Sequence, residues 1–599
     1  MKIKCQKSLF SSVIGVLGSV AMFQTLSLFE TTGRESVIYS NSFLSLIFCI
    51  FSVVLYKKAF EKFLENKKLT TVISIVYSAV LAIALNVGRY LEMVENVNVA
   101  NAKMWISILV LTVYFAPFVS VAWQWIEEKW NSQTNVKTME KANIKDFLLY
   151  AATIFLCWLP VFLAFYPGAF VYDAGDELFQ VETRMFTTHH PLTHVLLLGG
   201  FVRAGKVFFD SYNLGIACYT LLQMLLLAVV FGYTICYIKN KVKNSYMVWG
   251  MVAFYGLFPV IPMYAICSSK DTIFTAAFLV VVIKMLQFME EREVFLANKG
   301  NVFVSIASAV VMMLFRNNGM YAYVVWAALL GIICIFVKHK RKIYLRMLLI
   351  MVVSVVCFFG CSKTLSWATK AVPGGKQEIM TVPIQQMVRT YVYSPETYTE
   401  EEKEVLFEII PEKEMHLYNA RLSDLLKSKF ENETFNQDKF KYLQLWAKIG
   451  MRKPMIYLNA WLMTSYGYWY PDAIINVYGG TPRFTFTYDE SSYFGFETEQ
   501  PGIRESKFPW LEEQYRKMSL ELFQQKVPGL SMLFSPGCLF WGFMFVLGFQ
   551  LQKGQWEKAL ALSGILLLWL TAILGPTYLV RYVLILWFAT PVLVVSTKE

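Results

Sequence analysis

Charge is scarce in this sequence. Asp, Glu, Lys and Arg make up 16% of its 599 residues, against roughly 25% in a soluble globular chain. Hydrophobic residues make up 56%, and apolar runs long enough to cross a bilayer recur along the whole length. An ordinary soluble protein is excluded; the pattern is that of an all-α polytopic membrane protein. Useful cysteine spacing is missing too. Of the 10 cysteines all but Cys5 lie in or beside apolar runs, none falls between Cys361 and Cys538, and no CxxC or Cys/His spacing occurs. Neither a disulfide framework nor a zinc site is indicated. No GxGxxG or P-loop follows a strand-like run, so a nucleotide-binding domain has no support. Fixed-period repeats and low-complexity tracts are also lacking.

The formal charge of +12 would suit nucleic acid if the basic residues formed a patch. They fall instead in short loops between apolar runs, where the positive-inside bias puts them. Topology explains the charge, and no nucleic-acid partner is expected. Lys2, Lys4 and Lys7, the lysine-rich loop 56–70 and the segment 127–145 mark the cytoplasmic side. The first apolar run lacks an evident cleavage site and is expected as a retained anchor.

Spans are expected at about 8–28, 41–56, 70–87, 104–124, 146–165, 212–238, 246–266, 272–289, 301–316, 320–337, 343–361, 531–550, 557–575 and 577–596. That is about fourteen, with both termini cytoplasmic in the cell membrane. Residues 192–209 are broken by Gly199-Gly200 and carry Arg203 and Lys206, so they are expected as an amphipathic helix on the outer surface. The resulting organisation is four extra N-terminal spans with a cytoplasmic loop (1–145), a transmembrane core with an acidic first external loop (146–362, loop 166–210), a mainly helical external domain (363–530) and three last spans (531–599). Within the external domain, Thr399 and Glu402 have capping-box spacing and 435–451 has helical periodicity. Residues 454–470 read as an interfacial aromatic segment and 476–502 as a loop-built cover.

Against this scarcity, Phe165 to Pro191 concentrates polar chemistry. Tyr166-Pro167-Gly168 is followed at once by Asp173, Asp176 and Glu177, then Arg184, then His189-His190-Pro191. A carboxylate just outside a membrane exit can take a proton from an acceptor hydroxyl or hold a cation. Loop solvation is the bland alternative, weakened here by a rigid turn followed by apolar Ala169, Phe170 and Val171. His190 suits a proton shuttle or a donor to phosphate, while His194 reads as part of an interfacial helix start. No third ligand completes a metal pair of His190 and His194, so no metal set is assigned; a divalent cation, Mg²⁺ or Mn²⁺, stays open. Ser268-Ser269-Lys270-Asp271, Arg316-Asn317-Asn318-Gly319 and Arg581-Tyr582 put cations at three further outer turns. Snorkelling explains any one of them. Three on the face that bears the acidic loop fit an anionic ligand, and phosphate is the natural one.

The order of these parts resembles the GT-C class of membrane glycosyltransferases, which includes protein mannosyltransferases and lipid A aminoarabinose transferase. YPGAFVYD, HHP, SSKD, RNNG, PIQQMVRTYVY (383–393) and the late RY resemble a bacterial branch of that class, over roughly residues 146–596. The resemblance implies a GT-C-like bundle and an inverting transfer of sugar from a polyprenyl-phosphate donor to an envelope acceptor, whether cell-wall polymer, lipid or protein. Asp173 or Asp176 would be the base, assisted by His190, with Lys270, Arg316 and Arg581 on the donor phosphate. Tyr166, Glu177, His189, Asp271, Asn317 and Tyr582 would bind substrate, and Gln385 and Arg389 would close the site. The missing cytosolic nucleotide domain points separately to a lipid-linked donor, and a base opposite the departing phosphate predicts inversion. Trp461, Tyr466, Tyr468, Trp469 and Tyr470 read as interfacial anchors before sugar-stacking groups. The rivals are a lipid or polysaccharide flippase, which would want mid-membrane ionisable groups and paired broken helices, and a non-catalytic scaffold of envelope assembly. Lys284 is the main ionisable residue deep in a span, and it lies towards the cytoplasmic end.

Overall fold

A run of Leu, Val, Ile and Phe in lipid can satisfy its backbone only by forming a helix, and the chain follows that rule. The computed structural model describes residues 2–25, 43–132, 141–242, 244–475, 493–527 and 529–598. Among these, the regular elements are helices, joined by isolated β-bridges. The first fifteen are α1 (Lys2–Thr25), α2 (Phe43–Phe63), α3 (Lys68–Val94), α4 (Ala102–Ser132), α5 (Ile144–Ala164), α6 (Ala174–Thr183), α7 (Leu192–Phe209), α8 (Tyr212–Lys239), α9 (Ser245–Leu257), α10 (Val260–Ile266), α11 (Lys270–Glu290), α12 (Arg292–Ala297), α13 (Lys299–Phe315), α14 (Asn317–Phe336) and α15 (Arg341–Thr369).

Among the described residues 9 helices are long and apolar enough to cross a membrane, or 10 if the bent pair α9 and α10 counts as one span. This makes the chain a multi-pass membrane protein and corrects the expected fourteen. α13, Pro536–Gln552 and Trp556–Ala572 reach only 17 residues each, short of the ~20 that a straight crossing needs. α7, expected on the membrane surface, is itself among the helices that could cross. α9 and α10 meet at a bend of 49° at Phe258-Pro259, where proline removes a donor and crowds the preceding turn.

α11 is the axis. Its most apolar stretch is 94% buried, against 33–56% for the other candidate spans, and it packs against α8, α13, Trp556–Ala572 and the C-terminal segment.

The last expected span, 577–596, is broken into Val580–Val583, Ile585–Phe588 and Thr590–Ser596. Irregular backbone at that depth survives only when protein surrounds it, and here it does. Almost every residue from Thr577 to Ser596 is buried. Tyr468 Oη donates to the carbonyl of Thr577 at 3.0 Å and accepts from Leu579 N at 3.0 Å. Tyr255 Oη donates to the Phe588 carbonyl at 2.7 Å.

The same contacts correct the aromatic band. Tyr466, Tyr468 and Tyr470 are fully buried and brace the C-terminal segment and α1, so they are core residues rather than interfacial anchors or a sugar platform. Among the described residues no clear external domain stands between 363 and 530. Residues 381–457 do gather a small apolar cluster around Ile384, Leu406 and Ile449, but Leu422, Tyr466, Phe494 and Tyr515 join the main core. Within this region the Thr399–Glu402 capping box is present, starting Glu400–Ile409, and Lys439–Arg452 is the helix expected over 435–451. Of the expected cover, 476–492 lies outside the described residues.

One glycine fixes where the acidic loop leaves α5. Gly168 has φ +133°, and a Cβ on it would stand 2.4 Å from Thr220 Oγ1. Gly168→Ala is therefore expected to cost about 1–3 kcal/mol, read as a lower thermal midpoint. Gly200→Ala, with open space around its helical position, should be neutral or slightly stabilising. Equal midpoints for the two variants would refute this account of the turn.

Candidate active site

Beyond Gly168 the loop is pinned on both sides by backbone. Ala169 N donates to Ile266 O at 3.1 Å and Ser268 N to Ala169 O at 2.9 Å, while Glu499 N donates to Phe170 O at 2.8 Å. Tyr172 then adopts φ 61°, a left-handed conformation that a bulky residue seldom takes without a reason. Its ring lies 4.2 Å from the Arg581 guanidinium carbon. Asp173 is next and precedes the first turn of α6. The cations come from other helix ends. Lys270 is the first residue of α11, after the Ser269 cap; Arg316 joins α13 to α14; Arg581 lies in the 3₁₀ turn Val580–Val583.

Lys270 Nζ donates to Asp173 Oδ2 at 2.7 Å and to His190 Nδ1 at 2.9 Å, and lies 3.8 Å from Glu177 Oε1. Arg581 Nη1 stands 3.5 Å from Asp173 Oδ2, and its Nε 3.8 Å from Asp271 Oδ2. Asp271, fully buried, is ion-paired with Arg316. The Arg316 guanidinium lies 4.3 Å from the Tyr582 ring, and Tyr582 Oη accepts from Arg581 Nη2 at 3.1 Å. Beneath this layer a buried polar line runs into the bundle. Glu177 bonds His194 Nδ1, His194 Nε2 bonds Tyr219 Oη at 2.7 Å, and Tyr219 donates to Gln223 Oε1 at 2.9 Å. Gln223 Nε2 donates to the Cys267 carbonyl at 2.7 Å, closing the line back onto the turn that carries Lys270. A cavity of about 120 Å³ opens beside His190, with Thr188, Thr193, Asn317, Ser362 and Ser366 on its polar side.

The charges set the acid–base character. Burial opposes ionisation of Asp173, but Lys270 and Arg581 outweigh it and hold its carboxyl well below the usual carboxylate range. Asp176, exposed on the first turn of α6, is pushed upward by partial desolvation and by Asp173. Burial, then the Lys270 charge, pulls His190 down to about 4, so its imidazole is neutral at pH 7 with Nδ1 accepting from Lys270. Glu499 is pushed up to about 8 by burial, then by Glu497, Asp173 and Asp176. A carboxyl raised on folding contributes its stability at low pH and loses it as pH rises through the folded value. Between pH 4.5 and about 8 Glu499 should thus make the wild type less stable with rising pH. Glu499→Gln should flatten that slope and raise the thermal midpoint at pH 8.5; an unchanged slope would mean that Glu499 is ionised in the fold.

The three short motifs meet the acidic loop in space: Asp173, Glu177, His190, Lys270, Asp271, Arg316, Arg581 and Tyr582 form one connected cluster. Asp176 stays at its exposed edge and Asn317 borders the cavity. His189 is more exposed, its ring edge-on to His190 at 4.5 Å between centroids and its Nδ1 4.0 Å from Glu378. Tyr166 bonds Glu505 through its carbonyl and braces that segment. Gln385 and Arg389 do not close the site: Gln385 bonds the Asn419 carbonyl, and Arg389 reaches Tyr418 Oη at 2.8 Å and the Glu95 carbonyl at 2.6 Å. They tie the 381–457 cluster together and to α3, because an arginine among apolar neighbours takes the nearest acceptors it can reach. His194, Tyr172, Tyr219, Gln223 and Glu499 were missed as site residues. A left-handed tyrosine and a polar line between helices leave no spacing signature, although His194, four residues after His190 and inside α7, was a hint.

Asp173, Glu177 and His190 each offer a ligand atom, all within 4.8 Å of one another, the donor set of a divalent cation. Lys270 already stands among them with two hydrogen bonds, so the set does not fit a metal ion while that side chain is in place.

No curated protein and no solved structure matches the chain. The matched family segment begins at Leu178, after Asp173, Asp176 and Glu177, and takes in His190, Lys270, Asp271, Arg316 and Arg581. Through residues 178–599, the cations of the cluster included, the chain belongs to the family of unknown function DUF6020.

Proposed function

We propose that this membrane protein is an inverting, GT-C-like glycosyltransferase that moves a sugar from a polyprenyl-phosphate donor to an envelope acceptor on the outer face of a bacterial cytoplasmic membrane. One observation carries the reading: Lys270, Arg316 and Arg581, from helix ends far apart in the chain, meet around Asp173 and Asp271. Each cation now faces a carboxylate. A donor phosphate entering the cluster competes with Asp173 for Lys270 and Arg581, and as those contacts pass to the phosphate the Asp173 carboxylate regains basicity. Asp173 then takes the acceptor hydroxyl proton, the acceptor oxygen bonds to the anomeric carbon, and the carbon–oxygen bond to phosphate breaks on the opposite face. Lipid phosphate leaves with the bonding electrons, stabilised by Lys270 and Arg581. Neutral His190 keeps Lys270 aimed at this point.

The test is purified protein in proteoliposomes with radiolabelled polyprenyl-phosphate sugars, reading free lipid phosphate and the anomeric configuration of the product. Release with inversion supports the transferase. Movement of labelled lipid between leaflets without donor consumption would replace it with a flippase, and inertness in both assays with a full donor panel would leave the scaffold.

A further inference from the structure

Lys270 occupies a position that chemistry usually gives to a metal. One carboxylate oxygen each from Asp173 and Glu177 and one imidazole nitrogen from His190 converge within 4.8 Å, a mixed O/N set that suits Mn²⁺ and similar ions. The Lys270 ammonium sits in the middle of that set, 2.7 Å from Asp173 Oδ2, 2.9 Å from His190 Nδ1 and 3.8 Å from Glu177 Oε1. An ammonium carries three donors and no acceptor, and the three atoms facing it are all acceptors. The match is one of kind as well as place. An ion bound to the same atoms at the ~2.0–2.2 Å of such ligands would fall on the ammonium, so ion and side chain exclude each other. Two further features favour the lysine. Arg581, 3.5 Å from Asp173, adds positive charge that a second cation would have to meet. Glu177 is held from behind through Oε2 by His194, 1% exposed, which keeps its other oxygen, Oε1, facing the ammonium position.

We propose that the Lys270 ammonium is the site's resident cation: it takes the place of a divalent ion, so the site works without metal, and deleting its side chain uncovers a three-ligand metal site of Asp173, Glu177 and His190. The catalytic consequence rests on the transfer reaction proposed above; the binding consequence does not.

The experiment uses the full chain in lipid nanodiscs, stripped with EDTA and titrated with Mn²⁺ followed by electron paramagnetic resonance. Wild type is expected to take up no stoichiometric Mn²⁺. Lys270→Ala should bind about one ion per chain, and Lys270→Ala/His190→Ala should lose it. In the transfer assay EDTA should leave the wild type unchanged, and Mn²⁺ should restore at least tenfold to an otherwise inactive Lys270→Ala. One Mn²⁺ bound by wild type and lost in Asp173→Asn would overturn the proposal, because the lysine would then be a displaceable occupant of a metal centre. A folded Lys270→Ala that binds no Mn²⁺ would overturn it too. The wild-type titration decides the first point even where the variant does not fold. Absence of transfer activity throughout would sink the glycosyltransferase reading and leave the binding result standing.

Discussion

Asp173→Asn is expected to lower sugar transfer by about 10²–10⁴-fold at saturating donor, with the protein still folded and inserted. The asparagine keeps the size and can still accept from Lys270, so the change removes the negative charge and the basic oxygen and little else. The expected pH behaviour is specific. Lys270 and Arg581 hold the Asp173 carboxyl well below 3.8 in the free protein, so kcat/KM, which reports the free enzyme, should show no acid limb from this group above about pH 4. Ionisation of Asp173 contributes to folding above its unfolded value and is lost only as pH falls through the lower folded one. Asp176→Asn should cost far less, about tenfold, because Asp176 is exposed and outside the ion-paired cluster. Release of labelled lipid phosphate from the two variants decides the matter. If Asp176→Asn abolishes release and Asp173→Asn spares it, the base is the exposed acid with the raised pKa, and Asp173 only holds the cations.

The sequence marked this cluster because charge is so rare in it. With 16% charged residues, an acidic loop, a Ser-Ser-Lys-Asp turn, an Arg-Asn-Asn turn and a late Arg-Tyr stand out against apolar background, and burying any of them demands partners. Scarcity of charge alone singles out Lys270, Asp271, Arg316 and Arg581, whatever their neighbours. It failed for Gln385 and Arg389, whose partners are backbone carbonyls and a tyrosine; carbonyls are everywhere, so a sequence gives no warning of such pairing. Hydropathy found the helices and overcounted the crossings, since it cannot tell a lipid-facing run from one buried in protein. The stretch 577–596 is apolar enough for a span and is instead a chain of short turns, held by Tyr468 and Tyr255. The same blindness misplaced the aromatic band. Tyr466, Tyr468 and Tyr470 are fully buried; the Tyr468 hydroxyl serves the backbone of the broken segment, Tyr466 accepts from the Tyr578 hydroxyl, and Tyr470 bonds the Thr25 carbonyl of α1. The polar line Glu177–His194–Tyr219–Gln223 was hidden for a related reason: three helical segments supply it, and half of its members lie on α8, outside the acidic loop.

Asp271→Ala should be the most destabilising single change in the cluster, by about 3–5 kcal/mol. Asp271 is fully buried and paired with Arg316, Ser269 Oγ donates to its Oδ2 at 3.1 Å, and Arg581 Nε lies 3.8 Å away. Removing the carboxylate strands the Arg316 charge against Tyr582 in a setting with little water. Arg316→Met alone should cost a similar amount by stranding Asp271. The double variant Asp271→Leu/Arg316→Met should recover most of the thermal midpoint, since an apolar pair of similar volume avoids both desolvation penalties, and Arg581 keeps Asp173 as a partner. Stability and function then separate. If Arg316 serves the donor phosphate, the double variant folds but shows a KM for donor raised at least tenfold, about 1.4 kcal/mol of lost binding. If the pair only holds α11 and α14 together, the double variant regains transfer along with its midpoint. Midpoints in detergent and donor KM in proteoliposomes, measured on wild type, Asp271→Leu, Arg316→Met and the double variant, distinguish a structural ion pair from one that the ligand uses.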